Sequence, residues 1–131
     1  MHTIMKKTFI LQLIMITSVL LSSCSKFETS DLIDTFWTGT CTSSEYLDGE
    51  HNDISFDFEN GKANFTILYY GEQYPESGVM LYSISNDILT ISKANEMLNG
   101  EWKILFRKGK DMTLERTVEE EILTLKLQQR K

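Results

Sequence analysis

The chain has 131 residues, 41% of them hydrophobic and 24% charged, a length and balance that suit one globular domain and argue against a multidomain enzyme or a disordered chain. Nineteen acidic residues stand against thirteen basic ones, a net charge of −6, which argues against nucleic acid as a partner. One proline and two cysteines exclude collagen-like, proline-rich and disulfide-framework architectures.

Lys6 and Lys7 precede an apolar stretch from Phe9 to Leu21, interrupted only by Gln12, Thr17 and Ser18. This is the charged and hydrophobic pattern of a secretory signal, and its 13 residues fall short of the roughly 20 that a spanning helix needs. Loss of this segment would remove two bases and no acid, leaving 11 basic and 19 acidic residues, a net charge of −8. The stretch ends in Leu21-Ser22-Ser23-Cys24, which resembles the lipobox of bacterial lipoproteins: a branched residue three before the cysteine, then two small residues. The resemblance implies cleavage after Ser23, a diacylglyceryl group on the Cys24 sulfur and an acylated amino terminus. The membrane is then a partner through the lipid anchor. Ser25 is not the aspartate that retains enterobacterial lipoproteins at the inner membrane, so the cell envelope, at the outer membrane, is the expected location. With Cys24 acylated, Cys41 has no partner and is expected as a small buried hydrophobe.

The expected organisation is thus a signal over residues 1–23, a lipidated tether over 24–31 and one domain over 32–131. Ser30 offers a helix cap ahead of Leu32 and Ile33, enough for one helical turn. Beyond it the pattern has period two. Trp37, Gly39 and Cys41 share one face against Thr38, Thr40 and Thr42; Ile54, Phe56 and Phe58 alternate with Ser55, Asp57 and Glu59. Asn60-Gly61 then turns the chain into a return strand carrying Ala63, Phe65, Ile67 and Tyr69. Gly78 to Ile84 is a strand apolar on both faces, which leaves the inward set open between Met80, Tyr82, Ile84 and Val79, Leu81. After Asn86-Asp87 come Leu89 and Ile91; Trp102, Ile104 and Phe106 alternate with Lys103, Leu105 and Arg107. Lys108-Gly109-Lys110 turns into Met112 and Leu114, and Leu123, Leu125 and Leu127 close the chain. Eight strands at about 12 residues each, with short consecutive connections, predict an all-β, up-and-down antiparallel architecture. A closed eight-stranded barrel leaves no exposed edge and is the first expectation; a two-sheet sandwich is the second.

The order of these pieces resembles the small lipocalin-like lipoproteins of bacteria. The resemblance rests on Leu32-Ile33 before Phe36-Trp37-Thr38-Gly39, on Phe56-Asp57-Phe58-Glu59-Asn60-Gly61-Lys62, on Tyr82 through Ile91, on Trp102-Lys103-Ile104 and on Leu123 through Leu127. It implies a barrel with Tyr82 and Ile84 inward, and a floor in which the Trp37 indole packs against a late-strand arginine, here Arg116.

Eight strands enclose a space that side chains fill or that holds one small ligand. Trp37, Phe56, Phe58, Phe65, Tyr69, Tyr82, Trp102 and Phe106 are the inward candidates, either as a filled core or as the lining of an apolar cavity. Catalysis lacks parts. His51 is the only histidine after the signal, and its loop, with Asp48, Glu50 and Asp53, lacks the Asp-x-Asp-x-Asp-Gly order of a calcium site. No catalytic residue, metal or cofactor is expected. The readings that remain are a lipid-anchored, non-catalytic binding protein holding a small apolar or amphipathic ligand in the barrel, and a filled barrel that contacts an envelope protein as an inhibitor or accessory subunit. Leu68, Tyr70, Tyr74 and Leu105 are candidates for an exposed contact patch.

Overall fold

The computed structural model describes residues 27–131; the expected signal and Cys24, the expected site of acylation, lie outside them. Eight strands, β1 (Thr35–Ser43), β2 (Asn52–Phe58), β3 (Lys62–Leu68), β4 (Glu76–Ser85), β5 (Ile88–Ser92), β6 (Gly100–Lys108), β7 (Asp111–Val118) and β8 (Glu121–Gln129), follow one another in a closed barrel. Each pairs antiparallel with the next, and β8 returns to β1 from Trp37↔Gln129 to Ser43↔Leu123. Closure distinguishes the barrel from the sandwich. A sandwich would leave four edges of unpaired N–H and C=O groups, and here the first and last strands satisfy each other.

Tight turns set the register. Asn86 and Asp87, both with positive φ (52° and 60°), form the two-residue link between Ser85 and Ile88, the backbone that a right-twisted hairpin requires. Gly39 stands where the β8 backbone leaves no room for a side chain on β1, since a Cβ there would lie 1.8 Å from the Lys126 carbonyl oxygen. Only a residue without a side chain allows that approach.

The core is continuous from end to end of the barrel. Trp37, Trp102, Phe56 and Phe58 are fully buried, with Ile67, Met80, Leu89, Ile91, Met112 and Leu114 between them. On β4 the inward set is Met80, Tyr82 and Ile84, while Val79 and Leu81 face solvent. Cys41 is buried as expected. The helical turn spans Thr29–Asp31, two residues earlier than a Ser30 cap would place it. Residues 27–31 are also not free tether. Phe27 is buried, and Thr29 Oγ1 accepts from Ile84 N–H at 2.8 Å and donates to Ile84 O at 3.3 Å, laying this segment across the end of β4.

A second departure lies in β6. The ladder runs Ile104↔Leu114 and then Phe106↔Thr113, so Leu105 is one extra residue opposite β7. Such a bulge reverses the alternation beyond it. Phe106, expected among the inward rings, therefore sits on the outer wall with 51% of its surface exposed. Arg107 takes the inward phase instead, and its guanidinium lies 4.0 Å from the centroid of the Phe27 ring.

Candidate functional site

The barrel has two unlike ends. One is closed by the segment from Phe27 to Asp34 and holds the β2–β3, β4–β5 and β6–β7 turns. Leu32 is buried there, and the Tyr82 hydroxyl donates to the Glu59 carbonyl. Burial is the main reason the Tyr82 phenol is held above its usual 10.0. Trp37 lies near this end, and its indole N–H donates to Thr35 Oγ1 at 2.9 Å. Arg116 does not serve as its floor partner. It lies near the end of β7 at the opposite rim, where its Nη1 donates to the carbonyls of Met97 (3.0 Å) and Glu96 (3.3 Å). The expected Trp37 and Arg116 pair is thus split across the barrel, because the two residues sit at opposite ends of their strands.

The other end is open. A cleft of about 600 Å³ there is lined by Tyr46, Tyr69, Glu76, the Asn95-Glu96-Met97 loop, Arg116, Val118, Glu121 and Leu123. Of the eight inward rings expected from sequence, only Tyr69 reaches it. Trp37, Phe56, Phe58, Phe65, Tyr82 and Trp102 are buried among one another below, with the Phe58 ring against those of Tyr82 (4.8 Å) and Phe56 (5.5 Å). They are core, and Phe106 is outside it.

Two asparagines build the open end. Asn52 Nδ2 donates to the Tyr46 hydroxyl at 3.0 Å and approaches the Met97 sulfur at 3.6 Å, while its Oδ1 accepts from Tyr70 N–H at 3.0 Å. One buried side chain thereby ties three loops together. Asn95 Nδ2 donates to Glu76 Oε1 (2.8 Å) and to the Tyr69 hydroxyl (3.1 Å), which itself donates to Glu76 (3.3 Å), and Asn95 Oδ1 accepts from Leu98 N–H (2.9 Å). Burial first, and the Glu76 carboxylate second, push the Tyr69 phenol above its usual 10.0. The site is therefore a neutral phenol and a carboxylate on one wall, with a guanidinium on the other. Among the described residues every buried side-chain nitrogen or oxygen has a partner.

Neither asparagine carries a sequence signal for its role at the mouth, because Tyr70 and Met97 for Asn52, and Tyr69 and Glu76 for Asn95, lie on other loops far away in the chain. Asn52 opens β2 after the turn-rich run Asp48-Gly49-Glu50, where an asparagine reads as one more loop residue. Cys41 lies below the cleft; burial and then the Glu121 carboxylate push its thiol up to about 12, so it stays protonated and unreactive. His51 contacts Gly49 O at 3.0 Å and Asp53 at 3.4 Å. Among the described residues no three His, Cys, Asp or Glu side chains gather as metal ligands.

Around the cleft the loops expose Leu47 (74%), Tyr70 (61%) and Tyr74 (79%), and the His51 and Tyr70 rings lie 6.3 Å apart, joining the two loops. Leu105, expected in the same patch, lies toward the opposite end, and Leu68 is half-buried. Comparison of the chain with protein-family models, with curated proteins and with solved structures finds no match.

Proposed function

We propose that this chain is a lipid-anchored protein of the bacterial cell envelope, at the outer membrane, that acts by binding, and that the open end of its barrel is the surface that binds. The lipobox at Leu21 to Cys24 and the resemblance to lipocalin-like lipoproteins support the anchor. Several acyl chains hold firmly because each buried CH₂ contributes about 0.8 kcal/mol. The observation that carries the binding mode is the filled interior. With Trp37, Trp102, Phe56 and Phe58 fully buried, recognition falls to the outer surface and the mouth. There Leu47, Tyr70 and Tyr74 stand among Glu45, Asp48, Glu50, Glu119 and Glu120. Exposed tyrosines are the side chains that anchor protein interfaces, and the surrounding carboxylates favour a basic partner. The proposed partner is an envelope protein presenting lysines or arginines.

A photo-crosslinking residue at position 74 or 47, in the full chain in its native envelope, tests this. Both positions should capture the same protein, and a probe at position 83 on the barrel wall should not. Equal labelling at all three positions, or none at 74 and 47, would overturn the reading.

The cleft favours a second reading. Arg116 and Glu76 face a cavity with Val118 and Leu123 in its wall, a setting for a small amphipathic ligand held at the mouth. Native mass spectrometry before and after organic extraction would reveal such a ligand as a removable mass.

A further inference from the structure

We infer that the closed end of the barrel, led by the β6–β7 hairpin, docks directly on an anionic lipid surface. The inference rests on the proposed anchor at Cys24 for its geometry, and on the hairpin for its chemistry. The bulge at Leu105 turns Leu105 and Phe106 to the outside, each about half exposed, 49% and 51%. β5 stops pairing with β6 at Ile88↔Lys103, so the hairpin tip extends past its neighbour on that side. The tip itself is Arg107-Lys108-Gly109-Lys110. Gln129 N–H donates to Lys110 O at 2.7 Å, tying the tip to β8, while Arg130 and Lys131 turn away along β1, their N–H groups on Phe36 O and Arg130 Nε on Thr38 Oγ1 at 2.8 Å. Asp87 and Asp111 adjoin the tip, and the rest of this end carries Glu28, Asp31, Asp34 and Glu59, the last 3.7 Å from Lys62, so the cationic surface is the hairpin tip and not the end as a whole. Two exposed apolar side chains flanked by cations are the composition of an interfacial anchor.

The position of the chain's amino-terminal side points the same way. Phe27 is buried under the Arg107 guanidinium, and Cys24 precedes it by three residues. A chain extends at most about 3.3–3.6 Å per residue, so an acyl group on Cys24 holds Phe27, and with it this hairpin, within roughly 10 Å of its own attachment point. Charge orients the rest. The carboxylates of Glu45, Asp48, Glu50, Glu119 and Glu120 belong to loops at the far end, where an anionic bilayer repels them outward. Docking by the closed end thus leaves the open end facing away from the membrane.

Residues 27–131 form a complete closed barrel with its own core and serve as an anchor-free probe. Co-sedimentation with phosphatidylcholine vesicles, with and without phosphatidylglycerol, should show binding only to the anionic ones, and added salt should release it. Lys108→Gln with Lys110→Gln should lower partitioning about 25-fold, at roughly fivefold per cation. Leu105→Ser with Phe106→Ser should weaken binding at unchanged circular dichroism. Equal binding to neutral and anionic vesicles, or wild-type binding by the Lys108 and Lys110 variant, would overturn the proposal. In the acylated full chain on vesicles carrying brominated lipid, a dye at position 109 should be quenched and one at position 47 should not; the reverse pattern would also overturn it. Mass spectrometry of the envelope-extracted chain separates the two readings. An unmodified Cys24 would refute the anchor, while the vesicle measurement on the anchor-free domain judges the hairpin by itself.

Discussion

Replacing Phe56 with alanine tests whether the interior is filled by a packed core or merely lined. The ring is fully buried, centred 5.5 Å from Phe58, and stands between Trp37 on β1 and Phe65 on β3. Walls on three strands cannot collapse into the space because the closed ladder fixes their spacing, so both the transfer and the cavity terms apply, about 3–5 kcal/mol for Phe→Ala. A domain of this size has about 5–15 kcal/mol in total, so the variant should stay folded with its urea midpoint lowered by roughly 2 M, taking a slope of about 2 kcal/mol per M. Phe106→Ala is the matched control. It removes the same ring from an exposed outer position and should cost at most about 0.5 kcal/mol. Both are read by urea unfolding, monitored through the buried Trp37 and Trp102 and by circular dichroism. A Phe56→Ala loss below about 1 kcal/mol, or a larger loss for Phe106→Ala, would refute the filled core and the bulge respectively.

Stability should fall with rising pH above about 9. Cys41 holds its proton up to about 12 in the folded protein against 9.0 ordinarily. The folded state alone keeps the proton in that window, so stability is intact below pH 9 and is lost as pH rises toward 12. Between pH 9 and 10 the Cys41 contribution to the loss should be about 1 kcal/mol, and Tyr69 and Tyr82, also held above their usual 10.0 in the folded protein, add to it as pH approaches and passes 10. Cys41→Ala should flatten that slope in urea titrations, and an unchanged slope would assign it elsewhere. Gly39→Ala drives a methyl into the Lys126 carbonyl and should cost about 1–3 kcal/mol or more. Amide exchange should rise first along the β1 and β8 ladder, and equal protection with the parent would refute the close approach. Asn52→Ala strips the Tyr70 amide of its acceptor and should cost about 1–3 kcal/mol, with faster exchange in the loops carrying Tyr46, Tyr70 and Met97. Faster exchange confined to the substituted position would show that the three loops are held by other contacts.

Most of the barrel was legible in the sequence. Alternation places Ile54, Phe56 and Phe58 on one face because successive side chains of a strand point oppositely, and a core face made of such residues must be buried wherever the strand pairs. The turns at Asn60-Gly61 and Asn86-Asp87 were legible for a similar reason, since their backbone demands residues that tolerate positive φ. β4 was ambiguous because Val79 and Leu81 are as apolar as Met80 and Tyr82; only the ladder to β3 and β5 assigns a face. Phe106 was misplaced because a bulge is a property of two strands together, and the count along β6 alone carries no trace of the residue it skips. Arg116 was misplaced for a different reason, since a resemblance can pair residues by type while the register sets them at opposite rims. The candidate site was the least legible, because Asn52, Asn95 and Glu76 acquire their roles from loops that only closure brings together.

The sequence by itself therefore determined the strand content, the number of strands, most of the core face and the buried state of Cys41, all consequences of local period and turn chemistry. Closure into a barrel, the outward turn of Phe106, the packing of Phe27 under Arg107 and the assembly of the mouth were decided by tertiary structure. Each depends on hydrogen-bond register between segments, which is satisfied or broken only when the strands meet.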